Sequence, residues 1–261
     1  MTLAEHLREL RNRLVVSIVA IILGMILGWV FYDQIQTFLL RPYHETITHL
    51  AKSQGVNAEV VINNGIAGAF LLRIQVAFVT GLVISSPVWL YELWAFILPG
   101  LHHNEKKWTY LLVAIAGPLF VAGVALGYYV MPKGMEVLLG FTPSGVKNLI
   151  DIQHYLSFVL RVLLVFGVSF EIPLFVVLLN LAGVVKARQL SRWRSWIIFL
   201  VFVFAAVATP STDPITMVLL AVPMTVLFLI SEVIAHIVDR RRGVAGEPDY
   251  ADFDDDEAST I

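Results

Sequence analysis

Long runs of apolar residues without charge constrain this chain more than any other feature of its sequence. Leu14 to Tyr32 spans 19 residues and holds no charged side chain, and Trp108 to Met131 is equally free of charge. About 20 apolar residues in a helix cross the hydrocarbon core of a bilayer. The chain is 58% hydrophobic and only 15% charged, against roughly 25% in soluble domains. Lipid is therefore the expected solvent for most of it.

The apolar runs and their breakers predict an all-α polytopic membrane protein with six spanning helices. A single membrane domain is expected over residues 1–235. The last two spans are short, since 13 residues of helix cover only about 20 Å. Either the bilayer thins locally around them, or the fifth helix begins nearer Arg192. The predicted spans are about residues 14–32, 74–90, 108–131, 155–185, 196–208 and 214–230.

The distribution of Lys and Arg predicts the orientation. With six spans the connections alternate between two sides, and 12 basic residues fall on the side of the N-terminus against four on the other. Arg73 and Arg161 lie at or inside helix ends. The positive-inside rule then places both termini in the cytoplasm. Residues 236–261, basic at first and then acidic, are expected to form a disordered cytoplasmic tail.

Prolines and glycines within the spans predict how the helices bend and pack. Each proline removes a backbone hydrogen bond and tends to kink its helix, so repeated prolines favour a concave, cupped bundle. Glycines four residues apart let helices approach closely, and we expect them to pack within the bundle. The prolines are Pro87, Pro118, Pro173 and Pro223, and the glycine pairs are Gly24/Gly28 and Gly123/Gly127.

Motifs for catalysis or metal binding do not emerge. The chain has no cysteine, which excludes thiol chemistry and cysteine-ligated metals. His44, Glu45 and His49 resemble a zinc motif, but the histidines are five residues apart where the helical motif needs four. We find no Walker A loop and no G-x-S-x-G motif. We therefore predict no enzyme activity, no metal or other cofactor, and no nucleic-acid partner.

The first residues of the chain predict an amphipathic helix on the cytoplasmic side. Glu9 lies four residues before Arg13, which is a favourable helical ion pair. By composition alone this is a surface ion pair on an interfacial helix. The apolar face of that helix is formed by Leu3, Leu7, Leu10 and Leu14.

A second segment on the same side, residues 94–107, offers another carboxylate. Glu105 is its acid, and Trp94 and Phe96 are close to it in sequence. Aromatic anchors in an interfacial loop would explain this composition equally well. Carboxylates are, however, natural bidentate partners of guanidinium groups. Two of them beside an apolar surface could hold a peptide with two arginines followed by a hydrophobic run.

Glu171 lies inside the fourth predicted span, in the stretch SFEIPLF. An acid inside a span is a functional-site hypothesis by default. One alternative is an internal hydrogen bond to a neighbouring helix or to the carbonyl that Pro173 leaves unbonded. Another is a proton or cation site in a small-solute secondary transporter, although spans one to three do not resemble four to six as such folds often require. Arg161 is about 15 Å away along a helix, too far for a direct pair.

Four motifs in register resemble the TatC family, whose members are signal-peptide receptor subunits of the twin-arginine protein translocase. They are HLRELRNRL, SSPVWLYELWAFILPGL, FGVSFEIPLF and TPSTDPITMVLLAVP, and the resemblance runs from about residue 3 to 235. It implies a receptor in the bacterial cytoplasmic membrane for the twin-arginine signal peptides of folded precursors. It also implies assembly with TatA- and TatB-type single-span subunits, self-association, and transport driven by the proton-motive force. A scaffold that binds partner helices but no signal peptide remains an alternative.

The resemblance implies roles for particular residues. Signal-peptide binding is implied for Glu9, Arg11, Arg13, Phe96, Glu105 and Lys107. Lys107 stands where some members have arginine, which keeps the charge but loses the planar fork. Glu171 matches the acid of the fourth span. Pro42 and Asp213 match a proline of the first external loop and an acid of the final external turn, and residues 33–68 are similar to the family's external cap.

Overall fold

The computed structural model describes residues 3–54, 58–61, 65–97, 106–140, 148–208 and 214–241. These residues are almost entirely helical, which confirms the predicted fold class. A pair of short parallel strands, β1 (Ala58–Val61) and β2 (Asn148–Asp151), is an addition that the sequence did not predict. The helices are α1 Leu3–Val30, α2 Tyr32–Gln54, α3 Gly65–Ile84, α4 Ser86–Ile97, α5 Lys106–Gly140, α6 Ile152–Leu181, α7 Ala187–Ala208 and α8 Pro214–Arg241.

Six helices of the described ranges are long and apolar enough to cross a membrane, namely α1, α3, α5, α6, α7 and α8. The chain is therefore a multi-pass membrane protein, with α2 and α4 as helices between spans. In α6, 61% of the spanning window is buried by the rest of the protein, against 11% in α1. The fourth span is thus the centre of the bundle, and the first lies at its periphery.

The second span, predicted at about residues 74–90, lies earlier in the chain at Ala67–Ile84, because the helix breaks within the predicted range. Helix α3 ends at Ile84, and α4 begins at Ser86. The Ser85 hydroxyl donates to the Gly81 carbonyl at 2.6 Å, and the Ser85 carbonyl accepts from Val88 N at 2.9 Å. Pro87 accordingly lies in the first turn of α4, where no intrahelical partner is needed for its missing N–H.

The predicted fifth span is too short, because α7 begins nine residues before it. Helix α7 contains 22 residues, about 33 Å of helix, so its length demands no thinning of the bilayer. The first turns of α7 are polar and contain Arg188 and Arg192. The apolar run alone therefore does not indicate that they belong to the spanning helix. The sixth helix is also longer than predicted, with 28 residues that continue to Arg241.

The predicted start of the tail at residue 236 is also wrong, because 236–241 continue α8. Asp239 is only 7% exposed. Its carboxylate accepts the backbone N–H of Ala187 at 2.7 Å and the side-chain amide of Asn180 at 3.0 Å. Asp239 therefore ties α8 to the start of α7 and the end of α6. Residues 242–261 lie outside the described residues.

The remaining span ends differ by a few residues and have local causes. Helix α6 begins at Ile152 rather than 155, since the Asp151 side chain accepts the backbone N–H groups of Gln153 and His154 as an N-cap. It ends at Leu181 rather than 185, and Gly183 follows with a φ of 74°, as is common after a helix C-terminus. Helix α1 begins earlier than predicted, at Leu3 in polar sequence, and ends at Val30, whereas α5 extends from Lys106 to Gly140 and continues well past the predicted end at residue 131.

The two glycine pairs lie where helix backbones meet. A Cβ on Gly24 of α1 would lie 2.8 Å from the Gly81 carbonyl oxygen of α3. A Cβ on Gly123 of α5 would lie 2.6 Å from the Phe166 carbonyl oxygen of α6. Both helix pairs would have to move apart to accept a side chain, as expected for small-residue packing in a membrane.

The predicted external segment 33–68 begins with helix α2, which docks on α5 and α6 through its backbone. Pro42 lies buried inside α2 and has no N–H for the carbonyl of Phe38, four residues earlier. The Tyr128 hydroxyl of α5 donates to that carbonyl at 3.0 Å. Beside it, the Tyr155 hydroxyl of α6 donates to the Leu39 carbonyl at 2.9 Å. The proline thus exposes backbone acceptors that fasten α2 to the bundle.

Candidate functional site

The first half of α1 meets α4 at one end of the bundle in a charged cluster that we call the acidic corner, formed by His6, Glu9, Arg13, Glu92 and Phe96. Arg13 donates from Nε and Nη2 to Glu9 Oε1 at 3.0 and 2.8 Å, and from Nη1 to Glu92 Oε2 at 2.9 Å. One guanidinium is therefore shared by two carboxylates. The side chains of Arg13, Glu9 and Glu92 are 26%, 25% and 17% exposed, so solvent or a ligand can reach them.

The acidic corner has carboxylate oxygens that are available to accept further hydrogen bonds. Each carboxylate offers two oxygens, and Arg13 engages one on each. No hydrogen bond from the described part of the chain reaches Glu9 Oε2 or Glu92 Oε1. With two acids and one internal base, the cluster also has one negative charge in excess. It is chemically suited to accept a further cation, and above all a planar one.

An aromatic surface borders the carboxylates. The rings of His6 and Phe96 stack with their centroids 4.6 Å apart, which joins the start of α1 to the end of α4. Phe96 follows Glu92 by four residues, so the two share a face of α4. The corner therefore combines carboxylates with an aromatic wall.

Glu171 in α6 is connected to the same short helix through Trp94. The Trp94 indole Nε1 donates to Glu171 Oε2 at 3.3 Å, and its ring lies 5.8 Å from that of Phe175. The predicted internal hydrogen bond thus goes to α4 and not to a carbonyl freed by Pro173. Glu171 is only 8% exposed, and its Oε1 has no hydrogen-bond partner among the described residues.

Helix α4 is therefore the element that brings the candidate residues together. It contains only 12 residues, yet it carries Glu92 and Phe96 at the acidic corner and Trp94 on Glu171. The buried side of α4 includes Leu90 and Trp94, which pack against α5 and α6. A shift of α4 would therefore change the acidic corner and the surroundings of Glu171 at the same time.

The other predicted site residues are placed as follows. Arg11 is exposed on α1, where it contacts the Asn12 side chain at 3.4 Å. Glu105 and Asp213 lie outside the described residues, and Lys107 lies within α5 but its side chain is not among those described. Pro42 lies in α2, at the opposite end of the bundle from the acidic corner.

Sequence reasoning missed Glu92 and His6. Glu92 has a local signal, because it lies four residues before Phe96, but the apolar run at about residues 74–90 predicts a span that ends just before it. His6 has none, since its stacking partner Phe96 is 90 positions away in the chain. Within the described ranges, no group of three His, Asp or Glu side chains could hold a metal ion.

The spanning helices surround a central α6 that carries an acid, and a partly exposed pair of carboxylates lies at one end of the bundle. These features define a multi-pass membrane protein whose polar groups suit recognition. The family model described as Sec-independent protein translocase protein (TatC) matches residues 5–223. This chain belongs to the TatC family and is thereby a component of the Sec-independent protein translocase, in agreement with the resemblance of its motifs.

Individual relatives agree with this assignment. The chain is 42% identical to the Sec-independent protein translocase protein TatC of Frankia casuarinae over 269 residues, covering 100% of this chain and 73% of the relative. It is 39% identical to the protein of that name from Xylanimonas cellulosilytica over 242 residues, covering 92% and 86%. These relatives are named for protein transport rather than for catalysis.

Solved structures show the same fold. Two crystal structures of the twin-arginine translocase receptor TatC, one of them in DDM, align with TM-scores of 0.70 and 0.72 at 31% and 33% identity. The alignments cover 88% and 90% of this chain, and 99% and 100% of the solved chains.

Proposed function

We propose that this chain is the signal-peptide receptor of the translocase and binds the twin-arginine signal peptides of folded precursors. The observation that carries the proposal is the sharing of Arg13 between Glu9 and Glu92. This corner already binds one guanidinium, and its remaining carboxylate oxygens can accept another. The likeness to crystal structures of a twin-arginine translocase receptor supports the same role.

Each residue of the proposed site has a distinct task. Glu9 and Glu92 accept hydrogen bonds from the signal arginines, and Arg13 holds the two carboxylates in place before the peptide arrives. Phe96 offers an aromatic surface for the apolar residues that follow the arginines. Arg11, Glu105 and Lys107 are proposed as further contributors on the strength of the family resemblance alone.

The orientation and the assembly are part of the same proposal. The excess of Lys and Arg on the side of the N-terminus favours both termini in the cytoplasm of a bacterium, so the acidic corner faces arriving precursors. The receptor would self-associate, and it would recruit TatA- and TatB-type single-span subunits for transport driven by the proton-motive force. Prolines inside α5, α6 and α8 favour a cupped bundle, and Pro42 and Asp213 have structural roles on the external side.

Glu171 is proposed as an intramembrane polar site of this receptor. Its hydrogen bond from Trp94 connects it to the helix that carries Glu92 and Phe96, and its second oxygen is available to a polar group of a partner helix or to water. Membership of a protein translocase family favours this role over a proton or cation site for a small solute.

Site-specific photo-crosslinking tests the receptor role. A photoreactive residue is placed at Phe96, and separately at Glu9, in membranes that contain the protein. Precursors are added with an Arg-Arg signal or with a Lys-Lys signal, which keeps the charge but loses the planar fork. Tyr129, which is 80% exposed near the other end of the bundle, is the control position.

The receptor role predicts crosslinks at Phe96 and Glu9 with the Arg-Arg precursor, weaker ones with Lys-Lys, and none at Tyr129. Equal crosslinking of both precursors would mean that the corner attracts charge without recognising guanidinium groups. An absence of crosslinks at both positions, with the protein folded, would overturn the receptor role and favour a scaffold that binds only partner helices.

A further inference from the structure

A second charged cluster, which we call the basic corner, lies where α7 and α8 meet and is formed by Ser191, Arg194, Glu232, His236 and Arg240. Arg194 forms a bidentate pair with Glu232, from Nε to Oε2 at 3.0 Å and from Nη2 to Oε1 at 2.6 Å. The Ser191 hydroxyl also donates to Glu232 Oε1 at 2.6 Å. Since six spans alternate in direction, this cluster lies at the same end of the bundle as the acidic corner.

A cavity of about 390 Å³ opens between the two helices at this point. The charged and polar side chains of the basic corner line one part of it. The other part is a stripe of three α8 residues at helical spacing, Leu229, Val233 and Ile237. These are 38%, 59% and 49% exposed, so the stripe faces the surroundings of the bundle. It runs along α8 beside the row Glu232, His236 and Arg240 and reaches three residues farther toward the middle of the membrane.

The charges of the cavity leave a positive excess. Glu232 is 2% exposed, and its two oxygens are engaged by Arg194 and Ser191. Arg194 remains 51% exposed, and its Nη1 makes no hydrogen bond within the described ranges. Arg240 is exposed at the mouth of the cavity and pairs with no acid of the described chain. The cavity thus presents two guanidinium groups to a ligand, with only one carboxylate, already neutralised, behind them.

We propose that this cavity binds one anionic phospholipid. The phosphate lies between Arg194 and Arg240, whose planar forks suit phosphate oxygens, and an acyl chain follows the stripe Leu229–Val233–Ile237. Basic pockets between spanning helices on the cytoplasmic side suit anionic headgroups, and the volume falls within the usual range for ligand sites. Glu232 acts as a positioning residue, because its bidentate pair fixes the direction of the Arg194 guanidinium.

The combination of charge with an apolar stripe points to a lipid rather than a soluble anion. A free phosphate would use the two arginines and leave the three exposed apolar side chains without a role. A lipid uses both parts at once, because the charged row and the apolar stripe run side by side along α8 and the stripe reaches farther into the membrane. The lipid proposal does not depend on the orientation that we propose for the receptor. That orientation determines only which leaflet of the membrane supplies the lipid.

Lipid binding by the purified full-length chain tests the proposal. The protein is delipidated in detergent and mixed with phosphatidylglycerol or with phosphatidylcholine, and bound lipid is counted by native mass spectrometry. We expect phosphatidylglycerol to bind preferentially, and Arg240→Gln to weaken that binding about fivefold, the effect of one basic residue near an anionic headgroup. Arg41→Gln, which removes an exposed arginine from α2 at the other end of the bundle, is the matched control and should change nothing.

A second variant and a competitor test the two parts of the ligand separately. Val233→Trp fills the apolar stripe at an exposed position and should also reduce phosphatidylglycerol binding. Unchanged binding in Arg240→Gln and in Val233→Trp would overturn the proposal, and so would equal binding of phosphatidylcholine. If inorganic phosphate displaced the lipid completely, the site would be one for a free phosphate instead.

Discussion

The two charged corners at one end of the bundle have opposite excess charges. In the acidic corner one guanidinium, Arg13, serves two carboxylates, and all three side chains are between 17% and 26% exposed. In the basic corner one carboxylate, Glu232, is only 2% exposed and accepts hydrogen bonds from Arg194 and Ser191. All three side-chain nitrogens of Arg13 and both oxygens of Glu232 form hydrogen bonds, whereas the more numerous group at each corner keeps atoms that are available to a ligand. Carboxylate oxygens are left at one corner and guanidinium groups at the other, so the expected ligands have opposite charge.

The corners also differ in how firmly the protein holds them. The acidic corner joins α1, the least buried of the six spans, to a helix of 12 residues. Next to the basic corner, Asp239 joins three helices by accepting from Ala187 N and Asn180 Nδ2. A peptide receptor must admit a ligand between its charged groups, and the looser corner suits that task. The firmer corner suits a small ligand that stays bound.

The largest effect should follow from removing both acceptors of the acidic corner. Glu9→Gln combined with Glu92→Gln removes two charge-assisted hydrogen-bond acceptors, each worth about 1.5–3 kcal/mol. We expect the affinity for an Arg-Arg signal peptide to fall at least about a hundredfold, or roughly 3 kcal/mol. The measurement is the binding of a labelled peptide to the purified receptor in nanodiscs.

The matched control for this variant removes the same charge at the other end of the bundle. Glu45→Gln combined with Glu136→Gln should leave peptide affinity within about twofold, because charges at the far end of the bundle are screened by salt. An equal loss in both double variants would mean that overall charge governs binding. The distinction between the corners would then be wrong.

A smaller effect is expected at Glu171, where the acid is engaged by only one donor. Glu171→Ala removes the acceptor of the Trp94 indole and the oxygen without a described partner, and we expect precursor transport to fall about tenfold, as for a polar group needed inside a span. Glu171→Gln keeps the shape and one acceptor and should transport at an intermediate rate. Export of a reporter precursor at equal receptor abundance is the measurement, and wild-type export by both variants would show that Glu171 has no functional role.

How much of these sites is predictable from sequence depends on the distance between partners in the chain. The Glu9–Arg13 pair follows from a spacing of four residues, and the number of spans follows from continuous apolar runs. Glu92, however, meets Arg13 from 79 positions away, and Asp239 meets Ala187 from 52. No local pattern shows such pairings, so the sequence alone missed the second carboxylate of the acidic corner and ended α8 too early.

The hydrogen bonds of Asp239 allow a test of how much they stabilise the packing of the helices next to the basic corner. Asp239→Ala leaves the buried backbone N–H of Ala187 without its acceptor and removes one of the two acceptors of Asn180 Nδ2, which should lower the stability of the fold by about 1–3 kcal/mol. Thermal unfolding in detergent measures this, with Asp33→Ala, an exposed acid at the start of α2, as the control. Binding of the Arg-Arg peptide should stay unchanged. A loss of peptide affinity without a loss of stability would show that the two corners are coupled, contrary to the comparison.

The smallest effect is expected at helix α2, which lies at the other end of the bundle and touches neither corner. Tyr128→Phe removes the donor to the Phe38 carbonyl and should cost about 1 kcal/mol of stability, with no change in peptide or lipid binding. Pro42→Ala restores an N–H that can reach the same carbonyl, so Tyr128→Phe should cost less in that background. A double-mutant cycle on thermal unfolding measures the difference. Equal costs in both backgrounds would mean that the tyrosine does not compensate for the proline. If Tyr128→Phe instead weakened peptide binding as much as the changes at Glu9 and Glu92, the recognition of signal peptides would not be confined to the acidic corner.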